Sequence, residues 1–179
     1  MARMYLAQPL VPLHVLDGAS FGTFTANQDV TPDPGIIVPA NLLEVGSELW
    51  LEADGEYTTT ASVTFGFGFF YGAVATTVLA VGTALASGAA ATSWPWHAEW
   101  KGRVRAVGTT GSIQGSGFWL LGTSLTTFAA AQAMPVTLAL RTVALNTTVA
   151  SEVGVSAVCG TSAAGNTVKV NRFSAVLVS

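Results

Sequence analysis

The residues from Trp96 to Val107 alternate between two kinds of side chain, and this alternation constrains the fold more than any other feature of the chain. Apolar side chains occupy Trp96, Ala98, Trp100, Val104 and Ala106, and polar or charged ones occupy His97, Glu99, Lys101, Arg103 and Arg105. Successive side chains of a β-strand point to opposite faces, and a slip of one residue would exchange the faces. The run therefore predicts a strand with one face on a hydrophobic core and a tightly set register.

Similar patterns predict seven more strands. They are 48–53, 57–71, 78–85, 112–121, 135–145, 152–159 and 167–178. The dipeptide Asp54-Gly55 is a strong turn signal after the first of these strands. In the last strand the apolar residues change from even positions to odd ones, which predicts either a bulge near Arg172 or a strand end that is covered on both sides. About eight strands separated by Gly, Ser, Thr and Asn turns predict an all-β fold, an antiparallel β-sandwich that is jelly-roll-like.

Aromatic side chains line one parity of the segment 57–71. They are Tyr57, Phe65, Phe67, Phe69 and Tyr71, whereas Gly66, Gly68 and Gly72 lie on the other parity. We expect the aromatic row to belong to the sandwich core rather than to a ligand platform. Because the glycine face carries no side chains, another element can approach it closely. Only 125–134 has helical propensity, enough for two turns.

Residues 1–41 differ from the rest of the chain, since they contain five of its seven prolines. Proline fixes φ and removes an amide donor, which predicts an extended N-terminal arm next to a sandwich domain at 42–179. Apolar side chains between the prolines indicate that the arm lies on a surface, either of its own domain or of a neighbour. The arm residues that we expect at an interface are Pro9, Leu10, Pro12, Leu13, Ile36 and Ile37.

Charged residues are scarce and unevenly placed. They make up 9% of the chain, against about 25% in an average globular domain, and such a chain is expected to bury much of its surface against other chains. Residues 1–56 carry a net charge of −7 and residues 99–179 carry +4. These opposite charges can attract two copies to each other or meet within one chain. The total of −3 argues against nucleic acid as a partner.

The stretch 69–86 is free of charge and nearly long enough to span a bilayer. Its glycines and threonines, and the lack of flanking Lys or Arg, favour strand over membrane helix. We expect no membrane association, and we see no secretory signal before Pro9. Cys159, the only cysteine, is expected to be a small buried apolar residue.

The residue types that catalysis requires are poorly represented. His14 and His97 are the only histidines and neither accompanies a nucleophile elbow, so we predict no catalytic residue and no enzyme. One Cys and two His cannot form a closed zinc site, and the acids lack the spacing of an EF-hand. We therefore predict neither a metal site nor a cofactor.

Three tryptophans lie within seven residues, at Trp94, Trp96 and Trp100. The parity of Trp96 and Trp100 places them in the core, which leaves Trp94 as a candidate subunit contact, followed on the same strand by Arg103 and Arg105. Tryptophan and arginine are favoured anchors at interfaces. Stacking of a carbohydrate on tryptophan is the alternative.

The run GTALASGAAATSWPWHAEWKGRVRAVGTTGSIQGSGFW, residues 82–119, resembles a segment of small jelly-roll virion proteins of tailed bacteriophages. The likeness extends over 49–179 and rests on an Ala/Gly/Thr-rich loop, a Trp-led alternating strand with basic residues, and a Gly/Ser strand. It implies a virion structural protein that decorates the capsid, forms a homotrimer and contacts the major capsid protein or other virion proteins. The alternative within the resemblance is a tail or fibre protein that binds host-surface glycans. The N-terminal arm lies outside the resemblance and is expected to dock on neighbouring subunits.

Overall fold

The computed structural model describes residues 7–10, 18, 20–22, 25–74, 78–135, 137 and 141–179. Among these residues the chain is all-β, with no α-helix. The strands are β1 Ala7–Pro9, β2 Phe21–Gly22, β3 Gln28–Asp29, β4 Ile36–Val38, β5 Glu48–Thr58, β6 Thr64–Tyr71, β7 Val78–Val81, β8 Leu85–Ala86, β9 Trp94–Ala106, β10 Gly111–Leu121, β11 Gln132–Met134, β12 Thr142–Leu145, β13 Ser151–Cys159 and β14 Thr167–Val178.

The strands form two antiparallel sheets. The larger sheet has the order β1-β14-β5-β9-β10-β11, with β12 also paired to β10 and β2 to β14. The smaller sheet has the order β3-β13-β6-β7, with β4 paired to β13 and β8 to β6. The all-β prediction is confirmed, although several predicted strands are divided into shorter ones.

The core between the sheets is aromatic at its centre. Phe67 of the smaller sheet stacks on Trp96 of the larger sheet, with ring centroids 4.2 Å apart, and lies 5.4 Å from Trp119. Trp96 and Trp100 are both buried, as their parity predicts, and the odd-numbered aromatics of β6 are buried too. The hydrophobic contact of these large rings is the main stabilising term that joins the two sheets.

The predicted turn at Asp54-Gly55 is wrong, because β5 continues without interruption to Thr58. A Cβ atom at Gly55 would lie 2.9 Å from the Trp96 indole and 2.0 Å from the carbonyl oxygen of Lys169. The glycine therefore makes room for a core tryptophan instead of a turn. Asp54 stays in the strand and pairs with Arg172 of β14.

Two other predicted strands are shorter than expected. The segment 78–85 yields only β7 and the start of β8, and within 135–145 the described residues form only β12. The strand predicted at 167–178 is confirmed, and of its two alternatives the bulge is the one present, since the register of β14 against β5 shifts between Val170 and Arg172. Because of this bulge, Val168 and Val170 at even positions and Phe173 at an odd position all face the core.

The described parts of residues 1–41 run along both sheets of this chain. β1 and β2 pair with β14, and β3 and β4 pair with β13. The backbone amide of Leu10 donates to the carbonyl oxygen of Ala175 at 3.0 Å. Pro12, Leu13 and His14 lie outside the described residues, and so does the side chain of Pro9.

Within the described residues no helix is long and apolar enough to cross a bilayer. The uncharged stretch 69–86 contains the end of β6 together with β7 and β8. Cys159 is a free, buried thiol as predicted, with its Sγ 3.1 Å from the carbonyl oxygen of Thr161.

Candidate interaction surface

The outer face of the larger sheet carries most of the protein's charge, and we call it the charged face. Ten of the seventeen charged residues occupy outward positions on β5, β9 and β14. They are Glu48, Glu52, Asp54, Glu56, Glu99, Lys101, Arg103, Arg105, Lys169 and Arg172. The strict alternation of burial along β5 and β9 places them there, with core residues between them.

Cross-strand ion pairs link the acidic and basic segments of the sequence. Arg103 binds Glu48 at 2.6 Å, and Arg172 binds both Glu52 and Asp54, the latter at 2.6 Å. The register explains the pairing, because Glu48 lies opposite Arg103 and Asp54 lies opposite Arg172. Opposite charges therefore meet within one chain on this face, which is one of the two arrangements that the sequence allows.

Arg103 and Arg105, both predicted as interface residues, project from the charged face and are exposed. Arg103 is engaged with Glu48, which also accepts a hydrogen bond from the Trp50 indole at 3.1 Å. These two hydrogen bonds lower the pKa of Glu48 below its usual value. Arg105 donates to Oε1 of Gln114 at 2.5 Å, and thus keeps its positive charge without an acidic partner among the described residues.

A groove crosses the charged face where β9, β10 and the residue before β12 meet, and we call it the basic groove. It is lined by Glu48, Lys101, Gly102, Arg103, Gln114, Gly115, Ser116 and Arg141. The ammonium group of Lys101 lies 4.6 Å from the Trp50 ring centroid. The Nε of Arg141 is buried and makes no hydrogen bond within the described residues. Four of the seven basic residues of the chain are in or beside this groove.

Asp29 on the edge strand β3, Asp33 in the loop before β4 and Glu152 on the adjacent strand β13 act on one another as nearby charges, and we call this group the acidic edge. Glu152 packs against Gly35, where a Cβ would lie only 1.8 Å from its carboxylate oxygen. Burial, followed by the charges of Asp29 and Asp33, raises the pKa of Glu152. None of these acids forms an ion pair with another described residue.

Three loops at one end of the sandwich are joined through Thr147. The Asn41 amide donates to the Thr147 carbonyl oxygen at 2.7 Å, and the Thr147 amide donates to the Gly108 carbonyl oxygen at 3.0 Å. The Gly108 amide donates to the hydroxyl of Thr147 at 2.8 Å. Thr147 itself is 2% exposed, so it fixes the relative positions of the loops 39–47, 107–110 and 146–150.

These loops present apolar side chains to the solvent, and we call this surface the apolar end. Its exposed members are Leu42 (36%), Val45 (57%), Val107 (46%) and Val149 (49%). Ile37, a predicted interface residue, is 51% exposed on β4, which pairs with the start of β13 next to the loop 146–150. Clustered exposed apolar side chains of this kind typically mark interaction sites.

The other predicted interface residues lie elsewhere. Ile36 is 2% exposed in the core and is therefore not accessible to a partner, whereas Leu10 is partly buried against that core. Trp94 packs at a right angle on Tyr57, with centroids 6.3 Å apart, and its ring lies over Gly88. Much of the indole is thus used inside the chain.

Sequence reasoning missed Val45, Val107 and Thr147. One signal was present: each valine directly precedes a loop glycine with positive φ, Gly46 and Gly108. Valine is unusual beside a turn glycine, because Gly, Pro, Asn, Asp and Ser dominate turns. Arg141 was also missed, because its neighbours in space come from β9 and β10.

One group of side chains has the composition of a metal site. Ligand atoms of Glu52, Asp54 and His97 lie within 4.8 Å of one another on the charged face. Arg172 donates to both carboxylates of the group, so its guanidinium already supplies the positive charge that the acids require. His97 lies 6.1 Å from the Phe118 ring and is hydrogen-bonded to no described serine or cysteine.

No protein-family model, no curated protein and no solved structure matches this chain.

Proposed function

We propose that this protein is a non-enzymatic structural protein that assembles with copies of itself, as a capsid decoration protein of a tailed bacteriophage does. The observation that carries the proposal is the apolar end. Four exposed aliphatic side chains stand on loops that Thr147 holds in fixed positions. A rigid apolar surface loses little conformational freedom on association, so its burial translates efficiently into affinity.

The strand pairing supports a jelly roll. The pairs β6·β7, β5·β9, β4·β13 and β2·β14 are nested, each enclosing the previous one in the sequence. Nested antiparallel pairs shared between two sheets are the pattern of a chain that folds as one long hairpin and then wraps, as in jelly rolls. On this view β10, β11 and β12 are an additional element inserted between β9 and β13.

We further propose a homotrimer as the unit that attaches to the particle. The N-terminal segment contributes to attachment through Ile37, whose side chain points away from the core that holds Ile36. Few charges and much apolar surface are typical of subunits whose surface is buried on assembly.

The apolar end can be tested with two aspartate variants. Val107→Asp places a charge in the proposed contact, and Leu125→Asp places one on a side chain that is 69% exposed at the opposite end of β10. We expect Val107→Asp to weaken self-association at least about tenfold and Leu125→Asp to leave it unchanged, because hot spots are local. Light scattering after gel filtration measures both, and equal behaviour of the two variants contradicts the proposal.

The N-terminal segment can be tested with a pair of neighbours. Ile37→Ser should reduce attachment to particles while thermal stability stays nearly constant, because this side chain is exposed. Ile36→Ser should instead lower stability by about 2–4 kcal/mol, since it removes a buried aliphatic group. Deletion of 2–40 is a poorer test, because it also removes Val30, Ile36 and Val38 from the core.

The virion assignment has a direct test. An antibody raised against the purified chain should label tailed-phage particles banded on a density gradient from the source culture. Detection of the protein only in particle-free fractions would overturn the assignment, even if the protein proves to be an oligomer.

A further inference from the structure

Three cations in or beside the basic groove form no ion pair with an acid among the described residues. Arg103 and Arg172 are neutralised by Glu48, Glu52 and Asp54. The Lys101 ammonium lies over the Trp50 ring and acts on Glu48 only as a nearby charge, and Arg105 donates to the Gln114 amide oxygen. Arg141 forms no ion pair with any described residue. The basic groove and its rim therefore have an excess of positive charge in a protein whose net charge is −3.

An equal number of acids lacks a basic partner on the other sheet. Asp33 and Asp29 are exposed, and Asp29 only accepts a hydrogen bond from the Thr31 amide at 2.8 Å. Glu152 is held beside them against Gly35. Like charges that gather without a counter-charge destabilise one another unless a partner neutralises them.

Both charged surfaces border the apolar end. Glu48, which lines the basic groove, is the first residue of β5 and follows the loop 39–47 directly. Glu152 is the second residue of β13 and follows the loop 146–150. The apolar end is thus flanked by positive charge on the larger sheet and by negative charge on the smaller sheet.

We propose that the basic groove of one copy receives the acidic edge of a second copy, in a head-to-tail contact whose centre is the apolar end. This inference rests on the proposed self-association and specifies its geometry. Two different patches meet in such a heterologous contact, and it closes into a ring when the rotation between copies allows, as a cyclic trimer requires. A two-fold contact can also pair the groove of each copy with the acidic edge of the other, so the mass of the oligomer, three chains or two, distinguishes the ring from a dimer.

The second copy is favoured over nucleic acid because the acidic edge supplies matching charge on the same molecule. Lys101, Arg105 and Arg141 on one side, and Asp29, Asp33 and Glu152 on the other, form no ion pairs among the described residues and can pair across such a contact. An apolar centre with a charged rim is also the usual anatomy of a protein–protein contact.

Complementary charge reversal tests the contact. Lys101→Glu damages only the groove and Asp33→Lys damages only the acidic edge. We expect each variant alone to self-associate at least about tenfold more weakly than the wild type at low salt, because charge complementarity is lost. An equimolar mixture should recover association, since each variant supplies an intact partner for the other. Sedimentation velocity measures all samples, with Lys169→Glu, at the far end of the charged face, as the control that should remain like the wild type.

The outcomes separate this inference from the proposed function. A monomeric wild type contradicts self-association altogether. A wild-type oligomer that both reversals leave intact retains self-association but overturns the head-to-tail contact. A mixture that stays as dissociated as its components also overturns it, because the two sites are then not partners. Association of the wild type should weaken between about 0.05 M and 0.5 M salt, as expected for screened charges.

Discussion

The outer face of the larger sheet is polar and open to solvent, whereas most outward positions of β6 and β13 in the smaller sheet are buried. On β5 and β9 every second residue is charged, aromatic or polar and at least partly exposed. On β6 all residues after Thr64 are buried, including Gly66, Gly68 and Phe70 on the outward side. The larger sheet therefore offers a broad exposed face, whereas the smaller sheet exposes Asp29 and Ile37 on its short strands β3 and β4.

Close packing explains why the smaller sheet carries glycines on its outward side. A Cβ at Gly68 would lie 2.2 Å from the Ala80 carbonyl oxygen, and one at Gly154 would lie 2.2 Å from Oγ1 of Thr31. Phe70 spreads over Gly154 in the space that this absence creates. A side chain at Gly68 or Gly154 would displace these neighbours, and the acids Asp29 and Glu152 of the smaller sheet lie at other positions, on β3 and near the start of β13.

The largest expected effect comes from placing the same charge on each outer face. Ser156 on β13 is 0% exposed and its hydroxyl has no hydrogen-bond partner among the described residues, whereas Ser116 on β10 is exposed. Ser156→Glu should cost about 3 kcal/mol or more, because it buries an unpaired carboxylate. Ser116→Glu should change stability by less than about 0.5 kcal/mol, since it stands opposite Lys101 in solvent. Urea unfolding measures both, and similar losses would remove the distinction between the faces.

A smaller effect is expected at the end loops. Thr147→Val keeps the shape of the side chain but removes the hydroxyl that accepts from the Gly108 amide. The unsatisfied amide should cost about 1–2 kcal/mol, and faster amide exchange in 107–110 should accompany it. Weaker self-association of this variant would link the rigidity of the loops to the contact, while unchanged exchange would refute the role of Thr147.

The smallest expected effect is on the pH dependence of stability, to which Glu48 and Glu152 contribute with opposite signs. Arg103 lowers the pKa of Glu48, so its ionised form stabilises the fold above about pH 4.5 and this contribution is lost as the pH falls through the native-state pKa. Burial raises the pKa of Glu152, so stability is greatest below its unfolded-state pKa and is lost as the pH rises through the native-state value.

Glutamine variants make that difference measurable. At pH 7 Glu48→Gln should lower stability and Glu152→Gln should raise it, each by less than about 1 kcal/mol as is usual for such partly exposed charges. Both differences should shrink towards pH 3. Thermal unfolding of dilute protein, where association is minimal, is the suitable measurement, and effects of the same sign at pH 7 would contradict the assignment of the two environments.

Features that depend on neighbouring residues could be predicted from the sequence. The parity of β9 placed Trp96 and Trp100 in the core, and the change of parity in β14 gave a bulge near Arg172 as one of two alternatives, the one that the structure has. Both follow from the two-residue period of a strand, which needs no knowledge of the partner strand.

Features that depend on residues far apart in the chain could not be predicted from the sequence. The dipeptide Asp54-Gly55 carries a turn signal. In the structure, however, the space that a Cβ at Gly55 would need is filled by the Trp96 indole and the Lys169 carbonyl, which come from other strands. Whether the acidic and basic segments pair within one chain depends on the register between Asp54 and Arg172, 118 residues apart. The apolar end is likewise assembled from three separate loops, so each valine looks isolated in the sequence.

Self-association through the apolar end and its charged flanks is the central claim, and the molecular mass of the purified protein in solution tests it most directly. Sedimentation equilibrium of the wild-type protein over a wide concentration range should give three times the chain mass of 18.3 kDa. A single species of 18.3 kDa at every concentration would contradict the account, because it would leave the exposed valines and the unpaired charges without a second copy to cover them.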